Sequence, residues 1–184
     1  WSVVNANTVN YTNVNTFNIT GFENLVGGSS NDQLLFTNYS STANATVANV
    51  GALDGFDLTD AAFTGTFRNI NSVTGGAGND SLTGLSAASV WQTTSATSGT
   101  YNSTNTLAFS NIETIIGNSA SDTLDYSASA TARNVVLTSV GADGFNLTDA
   151  ASTGTFRNIN TLIGSTGSDT LTGANLNNNW KLEV

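Results

Sequence analysis

The chain has 184 residues, with four Lys and Arg against 13 Asp and Glu and a formal net charge of −9, so it lacks the basic patch that nucleic-acid binding requires. It contains no Cys and no His, which excludes disulfides and thiolate chemistry and removes the commonest general base and transition-metal ligand. The 26 Asn, 29 Thr, 21 Ser and 18 Gly, together with 39% hydrophobic residues, predict many short strands and tight turns. No apolar run approaches the length of a membrane-spanning helix, so we expect no membrane insertion.

Short apolar segments recur along the whole chain, and each is expected to form a strand. In order they are WSVV (1–4), ENLVG (23–27), ATVAN (45–49), NSVTG (71–75), VWQTT (90–94), ETIIG (113–117), NVVLT (134–138), NTLIG (160–164) and NWKLEV (179–184). If each opens one coil, the chain is an all-β parallel β-solenoid of about eight coils of roughly 20–26 residues with one closing strand. At a strand spacing of ~4.8 Å this rod would be about 40 Å long.

A longer period is marked by tryptophan. Trp1, Trp91 and Trp180 are 90 and 89 residues apart, and the segment 50–84 returns almost unchanged as 140–173. A fixed period is typical of repeat architectures. We therefore predict one continuous solenoid over residues 1–184, with a first unit at 1–90, a second at 91–179 and the start of a third at 180–184. This arrangement favours a segment of a longer protein, and the tryptophans are expected to fill the core or a groove.

Within each unit the phrase F-x-N-I-x-x-L-x-G occurs twice. Its third position is held by Gly21, Asn69, Asn111 and Asn158. Gly and Asn are the residues that best tolerate left-handed backbone geometry. Their exchange at one repeat position predicts a corner with positive φ.

Each phrase is followed by a Gly-rich turn that closes on an aspartate. The four turns are GGSSNDQL, GGAGNDSL, GNSASDTL and GSTGSDTL, which close on Asp32, Asp80, Asp122 and Asp169. The segment GGAGNDSLT (75–83) fits the pattern GGxGxDxLx and resembles the calcium-binding nonapeptide of the RTX proteins, which bacteria secrete. The resemblance implies a right-handed parallel β-roll in which turn carbonyls and the Asp carboxylate bind Ca²⁺. The other three copies depart from the pattern, and the copies lie 42 to 48 residues apart instead of in tandem.

The eight-coil layout adds a further acidic turn to each unit. It places Asp54 with Asp32 and Asp80 at one corner, and Asp143 with Asp122 and Asp169 at another. Like charges in adjacent strands are unfavourable unless a cation or solvent relieves them. The two triplets are therefore candidate Ca²⁺ ligands, and turn closure by the Asp side chains themselves is the alternative.

The phrase pattern as a whole, including DTLDYSA and DTLTG, resembles the giant adhesin-like or haemagglutinin-like repeat proteins of bacterial surfaces. This resemblance implies a secreted or cell-surface location and a non-enzymatic rod for adhesion, spacing or sheath building. The expected partners are other copies of the chain, stacked end to end or laterally, and a surface polysaccharide or another cell. A polysaccharide-acting β-helix enzyme is the competing class, with Asp54, Asp57 and Asp60 as its nearest carboxylates. The second unit has Asn146 where the first has Asp57, which disfavours catalysis there. An ice-binding threonine face is disfavoured because the TxT pairs do not recur on every coil.

Overall fold

The computed structural model describes residues 1–6, 8–12, 15–118, 120–152 and 154–181. Its regular structure consists of short strands. The first ten are β1 (Ser2–Asn5), β2 (Thr8–Thr12), β3 (Thr16–Thr20), β4 (Asn24–Val26), β5 (Gln33–Leu35), β6 (Asn44–Val50), β7 (Phe56–Asp60), β8 (Phe63–Ile70), β9 (Ser72–Thr74) and β10 (Ser81–Thr83). The next ten are β11 (Ser89–Thr93), β12 (Gly99–Asn102), β13 (Thr106–Ser110), β14 (Thr114–Ile116), β15 (Asp122–Asp125), β16 (Asn134–Val140), β17 (Phe145–Asp149), β18 (Thr155–Ile159), β19 (Thr161–Ile163) and β20 (Thr170–Thr172). The described residues include no helix that could cross a membrane.

Two ten-stranded sheets form the solenoid. Sheet A has the order β3-β2-β1-β5-β9-β13-β12-β11-β15-β19, and sheet B has the order β4-β8-β7-β6-β10-β14-β18-β17-β16-β20. Successive turns pair in parallel, as between β5 and β9 in sheet A and between β10 and β14 in sheet B. The strand order of β1–β10 is repeated by β11–β20, so the two halves of the chain have the same topology.

Three-stranded antiparallel meanders interrupt the parallel pairing. The meanders β1–β3 and β11–β13 lie in sheet A, and the meanders β6–β8 and β16–β18 lie in sheet B. Each meander contributes three adjacent strands to one sheet. The chain then crosses to the other sheet, where it forms a single strand. The chain is thus an all-β solenoid with parallel contacts between its turns.

The predicted eight coils are wrong, since the solenoid has fewer turns. Each of the eight predicted segments does contain a strand, but the strands fall on the two sheets in the order A, B, B, A, A, B, B, A. The residues between two such segments can complete a meander, as β7 and β8 do between β6 and β9, instead of completing a coil. The predicted closing segment 179–184 has no strand in residues 179–181, and the remainder lies outside the described residues.

The core lies between the sheets, and side chains alternate between core and solvent along strands such as β7 and β11. In β7 the side chains of Phe56, Leu58 and Asp60 are buried while those between them are partly exposed, as the two-residue period of a strand requires. Trp91 is fully buried and its ring centroid lies 4.4 Å from that of Tyr101. Trp1 is partly buried and packs on the core, whereas Trp180 is 64% exposed, so the expectation of a core tryptophan fails for Trp180.

The predicted positive-φ corner is confirmed at all four positions. Gly21, Asn69, Asn111 and Asn158 have φ values of 72°, 55°, 54° and 56°. The corner lets the chain leave a strand of one sheet and enter a strand of the other sheet without a longer loop. Two further positive-φ residues, Gly55 and Gly144, turn the β6–β7 and β16–β17 hairpins.

Candidate calcium site

The four Gly-to-Asp turns share one steric feature. In each, the first glycine lies against the carboxylate of the closing aspartate, so that a Cβ atom on the glycine would approach Oδ2 to 2.5–2.6 Å. The pairs are Gly27 with Asp32, Gly75 with Asp80, Gly117 with Asp122 and Gly164 with Asp169. Any larger residue would therefore displace the carboxylate, which explains why glycine recurs there while the other turn residues vary.

The turns divide between opposite edges of the solenoid. Where the chain passes from sheet A to sheet B, the turns are those of Asp80, between β9 and β10, and Asp169, between β19 and β20. We call this the A-to-B edge. At the other edge, the B-to-A edge, lie the turns of Asp32, between β4 and β5, and Asp122, between β14 and β15.

This division corrects the predicted triplets. Asp54 lies in the β6–β7 hairpin at the B-to-A edge with Asp32, whereas Asp80 is at the opposite edge. In the second unit Asn160 links Asp122 to Asp143: its Oδ1 accepts from the Asp122 N–H at 2.8 Å and its Nδ2 donates to Asp143 Oδ1 at 3.4 Å. Asp169 is at the other edge. The triplets were wrong because the eight-coil layout placed all these turns at one corner. The meanders, which that layout did not include, place successive turns at opposite edges.

Asp80 is the more deeply buried of the two aspartates at the A-to-B edge. Its side chain is 0% exposed, and Oδ1 accepts a hydrogen bond from the Ala43 N–H at 2.6 Å. Its own N–H donates to Oε2 of Glu113 at 2.8 Å. Oδ2 is buried and has no hydrogen-bond partner among the described residues. An unpartnered buried carboxylate oxygen is costly, so this atom calls for a cation or water.

Asp169 occupies the same turn nearer the end of the rod. Its Oδ1 accepts from the Arg133 N–H at 2.8 Å and from the Ser165 hydroxyl at 2.6 Å. The Ser165 hydroxyl and the Arg133 N–H hold the pKa of Asp169 below its usual range. Asp80 and Asp169 therefore both tie their turn to the start of the preceding sheet B segment, at Ala43 and Arg133.

The B-to-A edge has a different electrostatic character. Burial raises the pKa of Asp122, opposed by hydrogen bonds from the Ser89 hydroxyl and the Asn118 N–H. Asp32 Oδ2 and Asp54 Oδ1 are buried without hydrogen-bond partners in the described part of the chain. At this edge Asn160 bridges Asp122 and Asp143, and the Oδ1 of Asn71 accepts from the Asp32 N–H at 2.9 Å.

The donor set at the A-to-B edge fits Ca²⁺ in chemistry. Among the described residues no three His, Cys, Asp or Glu side chains come together, so a cation there must also draw on backbone oxygens. The Asn111 carbonyl oxygen and Asp80 Oδ2 both lie against Gly75. Carboxylate and carbonyl oxygens are the ligands that Ca²⁺ takes in proteins.

Sequence reasoning missed a second use of the corner asparagines. Beyond adopting positive φ, Asn69 donates from Nδ2 to the Gly27 carbonyl at 3.0 Å, and Asn158 donates to the Gly117 carbonyl at 3.2 Å. Asn111 donates likewise to the Gly76 carbonyl. The only available signal was the preference for Asn over Gly at three of the four corners. Each asparagine thus connects its turn to the turn beneath it.

Comparison with known proteins singles out the two turns at the A-to-B edge. The family model of the RTX calcium-binding nonapeptide repeat, which spans four copies, matches residues 68–87 and 156–175. These two segments contain the turns of Asp80 and Asp169, the two at that edge. No curated protein and no solved structure matches the chain. The chain therefore carries two segments of RTX-type repeat, and these repeats point to Ca²⁺ as its ligand.

Proposed function

We propose that the chain is a calcium-binding, non-enzymatic segment of a rod-shaped repeat protein. The observation that carries this proposal is the buried Oδ2 of Asp80, which has no hydrogen-bond partner among the described residues and lies in a turn that matches the RTX repeat. Asp80, with the Asn111 carbonyl oxygen, would hold Ca²⁺, and Asp169 would hold it in the second unit. A bound divalent cation supplies positive charge that offsets the burial of the carboxylate.

The rod itself follows from the two sheets. Parallel pairing between turns gives a continuous hydrogen-bond ladder, and the buried Val, Leu, Ile and Phe side chains form one core cluster along the solenoid. Each turn contacts only its neighbours, so length can be extended by adding units. Such a segment suits spacing or sheath building more than catalysis.

Two of the three carboxylates that could serve an enzyme, Asp57 and Asp60, are instead used by the fold. Asp60 is buried, and its two oxygens accept from the backbone N–H groups of Asn44 and Ala62 at 2.7 and 2.9 Å. Asp57 accepts from the Asn69 N–H at 3.2 Å, a role that Asn146 fills in the second unit. These contacts support a structural role for the DGFDLTD segment.

For location and partners we propose a secreted or cell-surface protein of the giant adhesin type. RTX repeats are typical of secreted bacterial proteins, and the net charge of −9 suits a divalent-cation-rich exterior more than a nucleic-acid partner. A surface polysaccharide or another cell is the proposed adhesive target. A glycan array probed with the chain in the presence of Ca²⁺ would test this part, and absence of binding would leave the spacer role alone.

Calcium binding is tested by melting temperature and isothermal titration calorimetry on the chain and two variants. Asp80→Asn removes the carboxylate charge while keeping an oxygen for the Ala43 N–H. Asp57→Asn is the matched control, because it removes the same charge and reproduces the residue of the second unit. We expect millimolar Ca²⁺ to raise the melting temperature of the chain and of Asp57→Asn by several degrees, and that of Asp80→Asn by about half as much or less. An equal shift in all three, or no shift in the parent chain, would refute the site.

A further inference from the structure

The junction between the two halves of the chain is an internal template for a contact between molecules. There β9 pairs in parallel with β13 in sheet A, with Val73 opposite Phe109, and β10 pairs in parallel with β14 in sheet B. The sequence counterparts of β9 and β10 are β19 and β20, which end the two sheets on one side. The counterparts of β13 and β14 are β3 and β4, which end the sheets on the other side.

The two ends expose apolar side chains whose internal counterparts are buried. Leu171 of β20 is 42% exposed, whereas its counterpart Leu82 is 0% exposed. At the opposite end Phe22 is 63% exposed, and its counterpart Ile112 is 2% exposed. The difference arises because a further rung covers these positions at the internal junction, whereas the described residues supply none beyond β3–β4 or β19–β20. An apolar groove of about 390 Å³, lined by Phe17, Ile19, Phe22, Leu25 and Val26 among others, opens at the β3–β4 end.

The polar groups at the ends are also those of the internal junction. Internally the Asp80 N–H donates to the Glu113 carboxylate, and the Asp80 carbonyl accepts from the N–H groups of Glu113 and Thr114. Asp169 is the counterpart of Asp80, and Glu23 is the counterpart of Glu113. The side chain of Glu23 is exposed at the β3–β4 end, where it could accept the same bond from a second molecule.

We propose that copies of this chain associate head to tail, the β19–β20 end of one copy on the β3–β4 end of the next, in the register of the internal junction. Leu162 then faces Ile19 and Leu171 faces Leu25 of the neighbouring copy, as Val73 faces Phe109 and Leu82 faces Ile115 within the chain. The contact is heterologous, since two different surfaces meet, and repeated contacts of this kind build an open filament. Unpaired strand edges provide its main-chain hydrogen bonds. This proposal does not depend on calcium.

Trp180 bears on the geometry of this contact. It is the counterpart of Trp91, lies outside any strand and is 64% exposed. In the stacked register the place of Trp91 belongs to Trp1 of the next copy. The indole of Trp180 would compete for that place, so Trp180→Ser is expected to leave association unchanged or strengthen it.

The test uses two end-specific variants and a control. Leu171→Glu blocks one end, Phe22→Glu blocks the other, and Val140→Glu places the same charge at a residue that is 61% exposed on the β16–β17 hairpin. Sedimentation velocity over a wide concentration range, with circular dichroism to verify folding, measures association. We expect the parent chain and Val140→Glu to form filaments, and each end variant to associate about tenfold or more weakly. An equimolar mixture of the two end variants should form dimers that grow no further, because each retains one intact end.

A variant expected to strengthen association tests the proposed register directly. Gly21 is the corner that lacks the asparagine amide, it has φ of 72°, and a Cβ there would meet nothing within 4 Å. In the stack Gly21→Asn would donate to the Ser165 carbonyl of the neighbouring copy, as Asn111 donates to Gly76. We expect about fivefold tighter association. A strictly monomeric parent chain, an end variant that alone associates as tightly as the parent chain, or unchanged association in Gly21→Asn would overturn the register proposed here.

Discussion

The two units fill an equivalent part of the core with different side chains. This part lies on the inner side of the segment that leads into β6 in the first unit and into β16 in the second. The equivalent residues are Phe36 and Tyr126, Tyr39 and Ser129, Ala43 and Arg133, and Phe63 and Ser152. In the first unit this part of the core is aromatic, with Phe36 and Tyr39 centroids 6.0 Å apart and Phe63 and Phe67 centroids 4.6 Å apart.

The second unit fills the same space with an ion pair. Arg133 is 5% exposed, and its Nη1 lies 3.1 Å from Oδ2 of the buried Asp149. Its Nη2 donates to Ser129 Oγ at 3.0 Å, and its Cζ lies 4.4 Å from the centre of the Tyr126 ring. The guanidinium thus packs against Tyr126, as the Tyr39 ring packs against the equivalent Phe36 in the first unit.

The comparison separates volume from charge. Asp60 and Asp149 are both buried and both accept two backbone N–H groups. Among the described residues, a cation forms an ion pair with Asp149 and none does so with Asp60. The aspartate therefore does not require the arginine. The arginine side chain instead serves to fill the core volume, since a well-filled core tolerates a change of chemistry better than a change of volume.

The largest expected effect comes from removing Arg133. Arg133→Ala leaves a cavity and an unpaired buried carboxylate, and should lower the free energy of unfolding by about 3 kcal/mol. Ser129→Tyr combined with Arg133→Ala recreates the first unit's filling and should recover part of that loss. Urea denaturation of both single variants and the double variant measures the coupling. Strictly additive effects would contradict the volume argument.

A smaller effect is expected at the corner asparagines, where the two units differ in burial. Asn69 is 3% exposed, whereas Asn158 is only partly buried. Replacement by Ala strains the positive-φ backbone and removes the amide bond to Gly27 or Gly117, at a cost of about 1–3 kcal/mol. We expect Asn69→Ala to be the more damaging of the two in thermal denaturation. The Gly variant at each site keeps the backbone conformation and isolates the amide, so equal losses from Ala and Gly would show that φ contributes nothing.

The smallest expected effect is in pH dependence, which differs between the two edges of the second unit. The pKa of Asp169 is lowered by its hydrogen bond from Ser165, so its contribution to stability is present above the unfolded-state pKa and is lost as the pH falls below it. The pKa of Asp122 is raised by burial, so its ionisation costs stability as the pH rises from the unfolded-state pKa through the folded-state pKa.

Carboxyl-carbon NMR titration should therefore show Asp122 titrating above Asp169. In urea denaturation across pH 3–6, Asp169→Asn should reduce the loss of stability on acidification, and Asp122→Asn should reduce the loss on the alkaline side. Equal titration midpoints for the two aspartates, or a higher midpoint for Asp169, would contradict the assignment of burial to one edge and hydrogen bonding to the other.

Much of the local structure could be predicted from the residues alone. The apolar segments marked strands because side chains alternate across a sheet, and the exchange of Gly21 with Asn69, Asn111 and Asn158 marked the positive-φ corners. The aspartates of the Gly-rich turns were identified as the candidate ligands, and Asp80 has the unpartnered oxygen that such a ligand needs. The pairing of Arg133 with Asp149 could not be predicted, because it depends on which side chains meet across the core.

The amino-acid sequence by itself determined the all-β class, the 90-residue period and the turns with their glycines, because these depend on contacts and dihedral preferences within a few residues. Only the tertiary structure decided that β6, β7 and β8 form an antiparallel meander in one sheet. Short apolar strands have the same two-residue period whether their neighbour runs parallel or antiparallel. That decision set the number of turns, placed Asp80 and Asp32 at opposite edges, and left β3, β4, β19 and β20 as the open ends.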